Sequence, residues 1–254
     1  MIKYVFLNSG ILSIPLQTLS LFVRSAFLDE DGSGLTTNPV SNHSSEIKMT
    51  TGLSSIDLIP DIELMPLPIN AMDLTLEENL ALYPKIGLFT ILATLLQAKS
   101  RGTVRLASSN PLDRPVVDFN YLSDPSDITL ARKAIRLSLK LGETMKAAGF
   151  PLLRNLSYPE ELHKLDIENG NTVEMDKFIR QQTRSTFHYS CSCRMAPRDD
   201  EVSPGVVDDE LRVYGVQNLR VCDTSVFPEI ISSHTQAPAV MVAERCADFI
   251  KTRA

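Results

Sequence analysis

The chain has 254 residues, 43% of them hydrophobic and 22% charged, and these proportions are typical of a globular protein. That length is enough to bury a substantial apolar core in one large domain or two small ones. The formal net charge of −6 argues against a nucleic-acid partner, because there is no excess of basic residues to neutralise phosphates.

Strand signals dominate residues 46–107. Apolar and acidic residues alternate over Asp61–Leu64, and an apolar run rich in Thr, Ile and Leu covers Leu88–Leu96. Thr103–Leu106 follows a turn signal and is predicted to return as the hairpin partner of that run. Three prolines predict edge or loop positions for the earlier segment, because proline cannot donate to a central ladder: Pro60, Pro66 and Pro68.

Two helices are predicted next. Asp124–Asp127 is a helix-start signal, and apolar residues then recur at helical spacing as far as Met145. Gly149 and Pro151 predict the end of this helix. A second, more polar helix is predicted over Thr172–Gln182. The apolar stripe of the first helix indicates core packing and not a cofactor site.

The last quarter of the chain is predicted to contain short strands and tight turns, over His188–Arg194, Gly205–Val207 and Leu219–Cys222. A final helix is predicted to carry Pro238 in its first turn and an apolar stripe of five residues: Ala239, Ala243, Cys246, Ala247 and Ile250. We therefore predict an α+β fold, in which a mostly antiparallel sheet flanked by helices occupies residues 1–185. A small strand–helix unit follows over residues 186–254.

All four cysteines lie in the last quarter: Cys191, Cys193, Cys222 and Cys246. Because the disulfides of a secreted fold are usually spread along the chain, we expect these residues to be structural thiols. No second cysteine pair stands at metal-ligand spacing, so the sequence predicts no metal site. No apolar run is long enough to span a bilayer, and we expect a cytoplasmic protein without a membrane partner, with secretion as the alternative.

Two of the four histidines stand in settings that indicate chemistry. His188 lies within Phe187-His188-Tyr189, and His234 lies within Ser233-His234-Thr235. Imidazole titrates near neutrality, so two histidines that converge on one substrate oxygen can divide proton removal and hydrogen bonding between them. The other two lack such surroundings and are expected to be structural or exposed: His43 and His163.

These histidines belong to a longer pattern that resembles the C-terminal half of the glucose-methanol-choline (GMC) oxidoreductases, flavin enzymes that oxidise alcohols. Similar segments run in the family's order from about Ser100 to the end of the chain: Ser100–Leu106, Val117–Leu122, Gly205–Asp208, Leu211–Val216, Asn218–Val221, Asp223–Pro228 and Ala243–Arg245. The resemblance implies that residues 1–185 form a substrate-binding-like domain. It also implies that residues 186–254 return to a flavin domain and carry the active-site histidines.

The resemblance also implies roles for single residues. His188 matches the base that removes the hydroxyl proton while hydride leaves for the flavin. His234 matches the second active-site position, which is His or Asn in relatives. Four residues match positions near the flavin, the first two beside the pyrophosphate and ribityl chain and the last two beside the isoalloxazine ring: Asp223, Thr224, Thr235 and Gln236.

The chain departs from the family pattern in two ways. Relatives usually read His-Pro-x-Gly-Thr-Cys-Arg-Met-Gly, whereas Cys191 and Ala196 replace the two glycines here, and Tyr189 and Ser192 replace Pro and Thr. Because glycine permits positive φ and close backbone approach, these changes indicate either an altered flavin contact or sequence drift. The chain also contains no glycine-rich strand-to-helix turn for a flavin pyrophosphate, so alone it is not expected to bind FAD tightly.

Three functional hypotheses follow. In the leading one, His188 and His234 perform acid–base chemistry without any cofactor, in the cyclisation, dehydration or isomerisation of a small organic substrate such as a secondary metabolite. In the alternative, the chain is the catalytic half of an oxidoreductase acting on CH–OH donors, with FAD supplied by a separate N-terminal half. The third is a binding or structural role without catalysis.

The expected partners follow from these hypotheses. Both catalytic hypotheses require a small-molecule substrate. A unit built to pack on a nucleotide domain would expose apolar surface without it, so we also expect a homodimer or a companion FAD-binding chain to cover that surface.

Overall fold

A computed structural model describes residues 19–30, 59–67, 89–150, 171–201 and 203–252, with the single positions 32, 34, 36 and 77. The chain divides into two compact units. Unit 1 contains the described residues up to Leu95 together with Pro125–Gln182, and unit 2 contains Leu96–Asp124 and the described residues from Thr183 onward. Each unit is therefore discontinuous in sequence, whereas the predicted domains, residues 1–185 and 186–254, are contiguous. His43 and His163 lie outside the described residues.

Unit 1 contains an antiparallel sheet of three described strands, β1 (Leu21–Val23), β2 (Ile62–Leu67) and β3 (Thr90–Leu95), in the order β1-β2-β3. The strands predicted over Asp61–Leu64 and Leu88–Leu96 are confirmed. The predicted edge position of β2 is wrong, because β2 lies between the other two.

The position of Pro66 explains how proline fits a central strand. β1 pairs with Ile62–Leu64 alone, so Pro66 lies beyond that pairing and opposes Ile91 of β3. Because β1 does not pair at Pro66, the missing N–H group of this proline costs no hydrogen bond between β1 and β2.

The described residues of unit 1 also include two longer helices, and both were predicted. Helix α1 (Pro125–Ala147) packs against the sheet and is followed by Gly149, whose φ of 92° is the left-handed conformation of a C-terminal cap. Helix α2 (Thr172–Gln182) packs on α1. The core between sheet and α1 is formed by buried and half-buried apolar side chains: Leu28, Ile62, Leu64, Leu130, Ala134, Leu137 and Leu141.

Unit 2 begins with a two-stranded antiparallel hairpin, β4 (Thr103–Arg105) and β5 (Val116–Asp118). The predicted pairing of Thr103–Leu106 with the preceding apolar run is therefore wrong. Gly102 provides the physical reason, because a Cβ atom at this position would overlap the backbone carbonyl of Asp118. The close approach that glycine permits joins this strand to the one that follows it.

The rest of unit 2 consists of turns and one helix. The short strands predicted over residues 188–222 are wrong, since the described chain forms only isolated bridges there: Met195 with Val207, Val207 with Val213, and Arg212 with Arg220. A 3₁₀ turn covers Thr224–Val226, and helix α3 (Gln236–Lys251) has Pro238 in its first turn as predicted.

The core of unit 2 is formed by five buried residues: Val207, Leu211, Val226, Phe227 and Cys246. Helix α3 contributes Val242, Cys246 and Phe249 to it, whereas Ala243 and Ile250 of the predicted stripe are exposed. The predicted stripe followed the alanines, but the larger side chains at 242, 246 and 249 occupy the face that packs.

The antiparallel sheets, the flanking helices and the turn-rich unit that ends in a helix confirm the predicted α+β fold class. In the ranges that the structure describes, every helix is too short or too polar to cross a bilayer.

Candidate active site

His188 and His234 lie together in unit 2. Nε2 of His188 is 2.9 Å from Nδ1 of His234, and the two rings meet edge-on with centroids 4.9 Å apart and planes at 89°. His188 is half-buried, whereas His234 is exposed. At this distance one nitrogen donates a hydrogen bond to the other, so one imidazole carries the proton that lies between them.

Thr235 contacts the other side of the His188 ring. Its Oγ1 lies 3.1 Å from Nδ1 of His188, and Thr235 is only 7% exposed. Both ring nitrogens of His188 are therefore engaged, one by Thr235 and one by His234. Gln236 follows as the first residue of α3 and is exposed beside the pair.

The His188 loop has an unusual backbone. Phe187 and Cys191 have φ values of 63° and 67°, in the left-handed region that favours glycine. The family resemblance implies glycine at the position of Cys191, and Cys191 has the positive φ that glycine adopts readily. Ala196 is the second position where another residue replaces the family's glycine. The backbone approaches closely here as well, but the glycine that permits it is Gly205, where a Cβ would overlap the Ala196 carbonyl.

Asp223 and Thr224 hold this loop in place. Oδ1 of Asp223 accepts from the Ser225 amide at 2.8 Å and so caps the 3₁₀ turn, while Oγ1 of Thr224 donates to the Tyr189 carbonyl at 2.8 Å. Three backbone amides of the loop donate to three carbonyls of the turn, at 3.2, 2.8 and 2.9 Å: Cys191 to Thr224, Cys193 to Ser225, and Met195 to Val226. The flavin contacts implied for Asp223, Thr224, Thr235 and Gln236 stay predictions.

Sequence analysis missed two further contributions to the site. Nε2 of Gln97 donates to Ser232 Oγ at 2.6 Å and to the Ile230 carbonyl at 3.3 Å, and so holds the segment that leads to His234. The ring of Phe119, just after β5, stacks on Tyr189 at a centroid distance of 5.6 Å. Gln97 belongs to no motif, whereas the aromatic residues of Val117–Leu122 gave a signal that could have been followed.

The described residues contain no group of three His, Cys, Asp or Glu side chains placed to hold a metal ion. All four cysteines are free thiols. Burial raises the pKa of the Cys246 thiol above its usual range, and its hydrogen bond with Cys222 acts in the same direction. Cys246 therefore behaves as part of the core and does not take part in the histidine pair.

Comparison with known proteins relates this geometry to a family. The family model described as GMC oxidoreductase matches residues 98–243, a stretch that includes both histidines. The oxygen-dependent choline dehydrogenase of Vibrio vulnificus (strain YJ016) is 40% identical over 158 residues, which cover 60% of this chain and 25% of the relative. Dehydrogenase str4 of Strobilurus tenacellus is 35% identical over 260 residues, covering 99% of this chain and 40% of the relative.

A solved structure agrees with these sequences. A formate oxidase variant from Aspergillus oryzae RIB40, studied for the modification of its FAD, has a TM-score of 0.72 and 26% identity, covering 99% of this chain and 41% of that chain. This chain thus spans between 25% and 41% of the length of the three proteins. Because the family model covers more than half of the chain and the solved fold matches nearly all of it, the chain belongs to the GMC oxidoreductase family.

Proposed function

We propose that this chain forms the proton-transfer side of an FAD-dependent oxidoreductase that acts on the CH–OH group of a small organic substrate. The observation that carries the proposal is the 2.9 Å contact between His188 Nε2 and His234 Nδ1 in a member of the GMC family. The matched relatives are named as dehydrogenases or an oxidase, which favours the FAD-dependent alternative over the flavin-independent hypothesis that led the sequence analysis.

In this proposal the two histidines divide the work at one substrate oxygen. His188 accepts the hydroxyl proton at Nε2, and His234 holds the same oxygen by a hydrogen bond. The substrate hydroxyl enters between the two nitrogens that are now in contact, from the side of the exposed His234. FAD, when bound, supplies the electron-pair acceptor, a role that no protein side chain at this site can perform.

We propose that the flavin lies on the side of the site where α3 begins. Gln236 is exposed in the first turn of the 16-residue helix α3, whose N-terminal amides favour partial negative charge nearby. Asp223 and Thr224 fix the turn beside the His188 loop. The 254 residues contain no glycine-rich strand-to-helix turn, so we propose that the pyrophosphate is bound by another part of the protein or by a companion chain.

The test is turnover of alcohol substrates by the FAD-loaded protein, that is, this chain together with the part or companion chain that binds the pyrophosphate, and by two alanine variants. His188→Ala is expected to lower kcat by roughly 10²- to 10⁴-fold, because a positioned proton acceptor is lost. His234→Ala is expected to lower it as well. His234→Asn is expected to lose less, because an amide still donates a hydrogen bond to the substrate oxygen.

A control variant separates a specific effect from general damage. His163→Ala removes a histidine that the sequence does not place in the site, and it is expected to leave turnover unchanged. Flavin reduction by the substrate, followed by absorbance, reports the redox step directly. Turnover that proceeds equally well without FAD would overturn the proposal and restore the acid–base hypothesis.

A further inference from the structure

The hydroxyl group of Thr235 does not cap helix α3, although Thr235 lies at the start of that helix. Thr235 is the N-cap residue of α3, where a threonine hydroxyl usually accepts a hydrogen bond from an amide in the first turn. Here the residue has helical backbone angles, φ −86° and ψ −8°, and its side chain makes no capping hydrogen bond. Its Oγ1 lies instead 3.1 Å from Nδ1 of His188.

This hydroxyl group is held firmly. Thr235 is 7% exposed, and branching at Cβ leaves threonine few side-chain rotamers. Its backbone is fixed as well, since the Thr235 carbonyl accepts from the Ala239 amide at 3.0 Å. The direction from which Oγ1 meets the imidazole is therefore set by the start of the helix.

The two contacts of His188 constrain each other. A neutral imidazole carries one N–H group and one lone pair, so its two ring nitrogens must play opposite roles. If Thr235 Oγ1 accepts from Nδ1–H, then Nε2 has the lone pair. If Oγ1 donates to Nδ1, then Nε2 carries the proton and donates to His234 Nδ1. The orientation of one hydroxyl hydrogen thus decides which nitrogen of His188 is basic.

We propose that Thr235 is a positioning residue that keeps the lone pair of His188 on Nε2. Its Oγ1 accepts from Nδ1–H, both before the substrate hydroxyl proton moves to Nε2 and afterwards, when both nitrogens carry protons. The inference rests on the proposed role of His188 as the proton acceptor. It adds that the acceptor is competent only in one tautomer, which Thr235 selects.

Two substitutions at this position separate the hydroxyl group from the shape of the side chain. Thr235→Val keeps the branched shape and removes the hydroxyl, whereas Thr235→Ser keeps the hydroxyl. The protein contains four histidines, so long-range ¹H–¹⁵N spectra of ¹⁵N-histidine-labelled protein resolve each ring, and a His188→Gln sample assigns His188. We expect the Nδ1–H tautomer in the unsubstituted protein and in Thr235→Ser, and a shift towards Nε2–H in Thr235→Val.

Kinetics of the FAD-loaded protein provide a second readout. Thr235→Val is expected to lower kcat by about 10- to 100-fold, the effect of losing one hydrogen bond to a charged group, with little change in KM. Thr235→Ser is expected to recover most of the activity. If the far-UV circular dichroism of Thr235→Val departs from that of the unsubstituted protein, Thr235→Ala removes the hydroxyl without the branched side chain.

The tautomer measurement does not depend on alcohol oxidation. An unchanged His188 tautomer in both hydroxyl-free variants overturns the inference, even if the protein oxidises alcohols with FAD. A change in Thr235→Val that Thr235→Ser reverses supports the role of Thr235, even if no flavin-dependent turnover is found. In that last case the proposed function fails and the positioning role stands.

Discussion

His188 lies in a loop that carries local backbone strain. Each of its left-handed non-glycine residues, Phe187 and Cys191, costs about 1–2 kcal/mol relative to a right-handed conformation. The amide hydrogen bond from Cys191 to the Thr224 carbonyl, and the packing of the Cys191 side chain on the unit 2 core, oppose that cost. A cysteine, which is unbranched at Cβ, suits this position better than a branched residue does.

Branching at position 191 is therefore expected to destabilise the protein. Cys191→Val should lower the free energy of unfolding by about 1–3 kcal/mol more than Cys191→Ala, because valine resists the left-handed conformation that both variants must adopt. Urea unfolding followed by circular dichroism measures the difference. Equal unfolding midpoints for the two variants would contradict a left-handed backbone at this residue.

Sequence reasoning identified the two histidines because each stands in a motif that resembles a known family. It did not predict the contact between Thr235 and His188, since that contact joins residues 47 positions apart and depends on how a helix begins. Gln97 was missed for a similar reason, because it reaches Ser232 across 135 positions and no local pattern marks it. A sequence therefore shows which residues can perform chemistry, whereas the hydrogen-bond partners of those residues depend on the fold.

Among the helices, α1 and α2 are joined by a bidentate ion pair. Nε and Nη2 of Arg132 each lie 2.6 Å from an Asp176 oxygen. The hydrogen bonds from Arg132 hold the pKa of the Asp176 carboxyl below its usual range, although partial burial opposes them. Because this pKa is lowered in the folded protein, the stabilisation is present at neutral pH and is lost as the pH falls through the lowered pKa.

Removing the charge of Asp176 is expected to have a pH-dependent effect. Asp176→Asn should lower the free energy of unfolding by about 1 kcal/mol at pH 7, as for a partly exposed ion pair of good geometry. The difference from the unsubstituted protein should shrink as the pH falls through the lowered pKa of the folded state, and should vanish at an acidic pH where the carboxyl is protonated in both the folded and unfolded states.

Urea unfolding at the two pH values measures this effect. Glu143→Gln is the matched control on α1, because its ion pair with Lys140 is largely exposed and is expected to contribute little. A destabilisation by Asp176→Asn of the same size at both pH values would show that the carboxylate charge is not responsible.

The helices were predicted more accurately than the strand pairings. Helix α1 is signalled by its apolar spacing and by the residues at its ends, Pro125 and Gly149. The partner of β4, in contrast, is decided by the close approach of Gly102 to Asp118, and a strand's own residues do not specify its neighbour.

For the whole molecule, the exposed apolar side chains of unit 2 matter most. Leu106, Leu112 and Phe187 are 88%, 89% and 81% exposed, and Met241 is 65% exposed. A contiguous patch of exposed apolar side chains is typical of a surface that another polypeptide covers, and these four residues are the candidates for such a patch in unit 2. The predicted homodimer or companion FAD-binding chain stays a prediction, and these residues are where it can be tested.

We expect the 254-residue chain, produced alone, to self-associate. Sedimentation velocity should show species heavier than the 28.2 kDa monomer, and the double substitution Leu106→Ser with Leu112→Ser should reduce that association. Lys146→Ser, a polar change on α1, is the control. A monomer that also fails to bind the dye ANS would contradict the prediction.

The fold class could be predicted from the sequence, but the chain segments that form each of the two units could not. The boundary predicted at residue 185 lies close to the start of the second part of unit 2 at Thr183. Leu96–Asp124 carries ordinary strand and turn signals, and its residues join unit 2 through long-range contacts such as those of Gln97 and Phe119. A single sequence can mark a residue such as Phe119 as a candidate, but it does not show which distant residue that side chain contacts.

The discontinuity of unit 2 limits how the protein can be dissected. A fragment that begins at Thr183 retains both imidazoles but loses Gln97 and Phe119, the anchors of their two loops. Proteolytic nicking within Pro125–Gln182 would leave unit 2 in two pieces that must reassociate to rebuild the site. A rearranged gene that joins residues 96–124 directly to residues 183–254 would encode, in one short polypeptide, the contacts described above for the histidine pair.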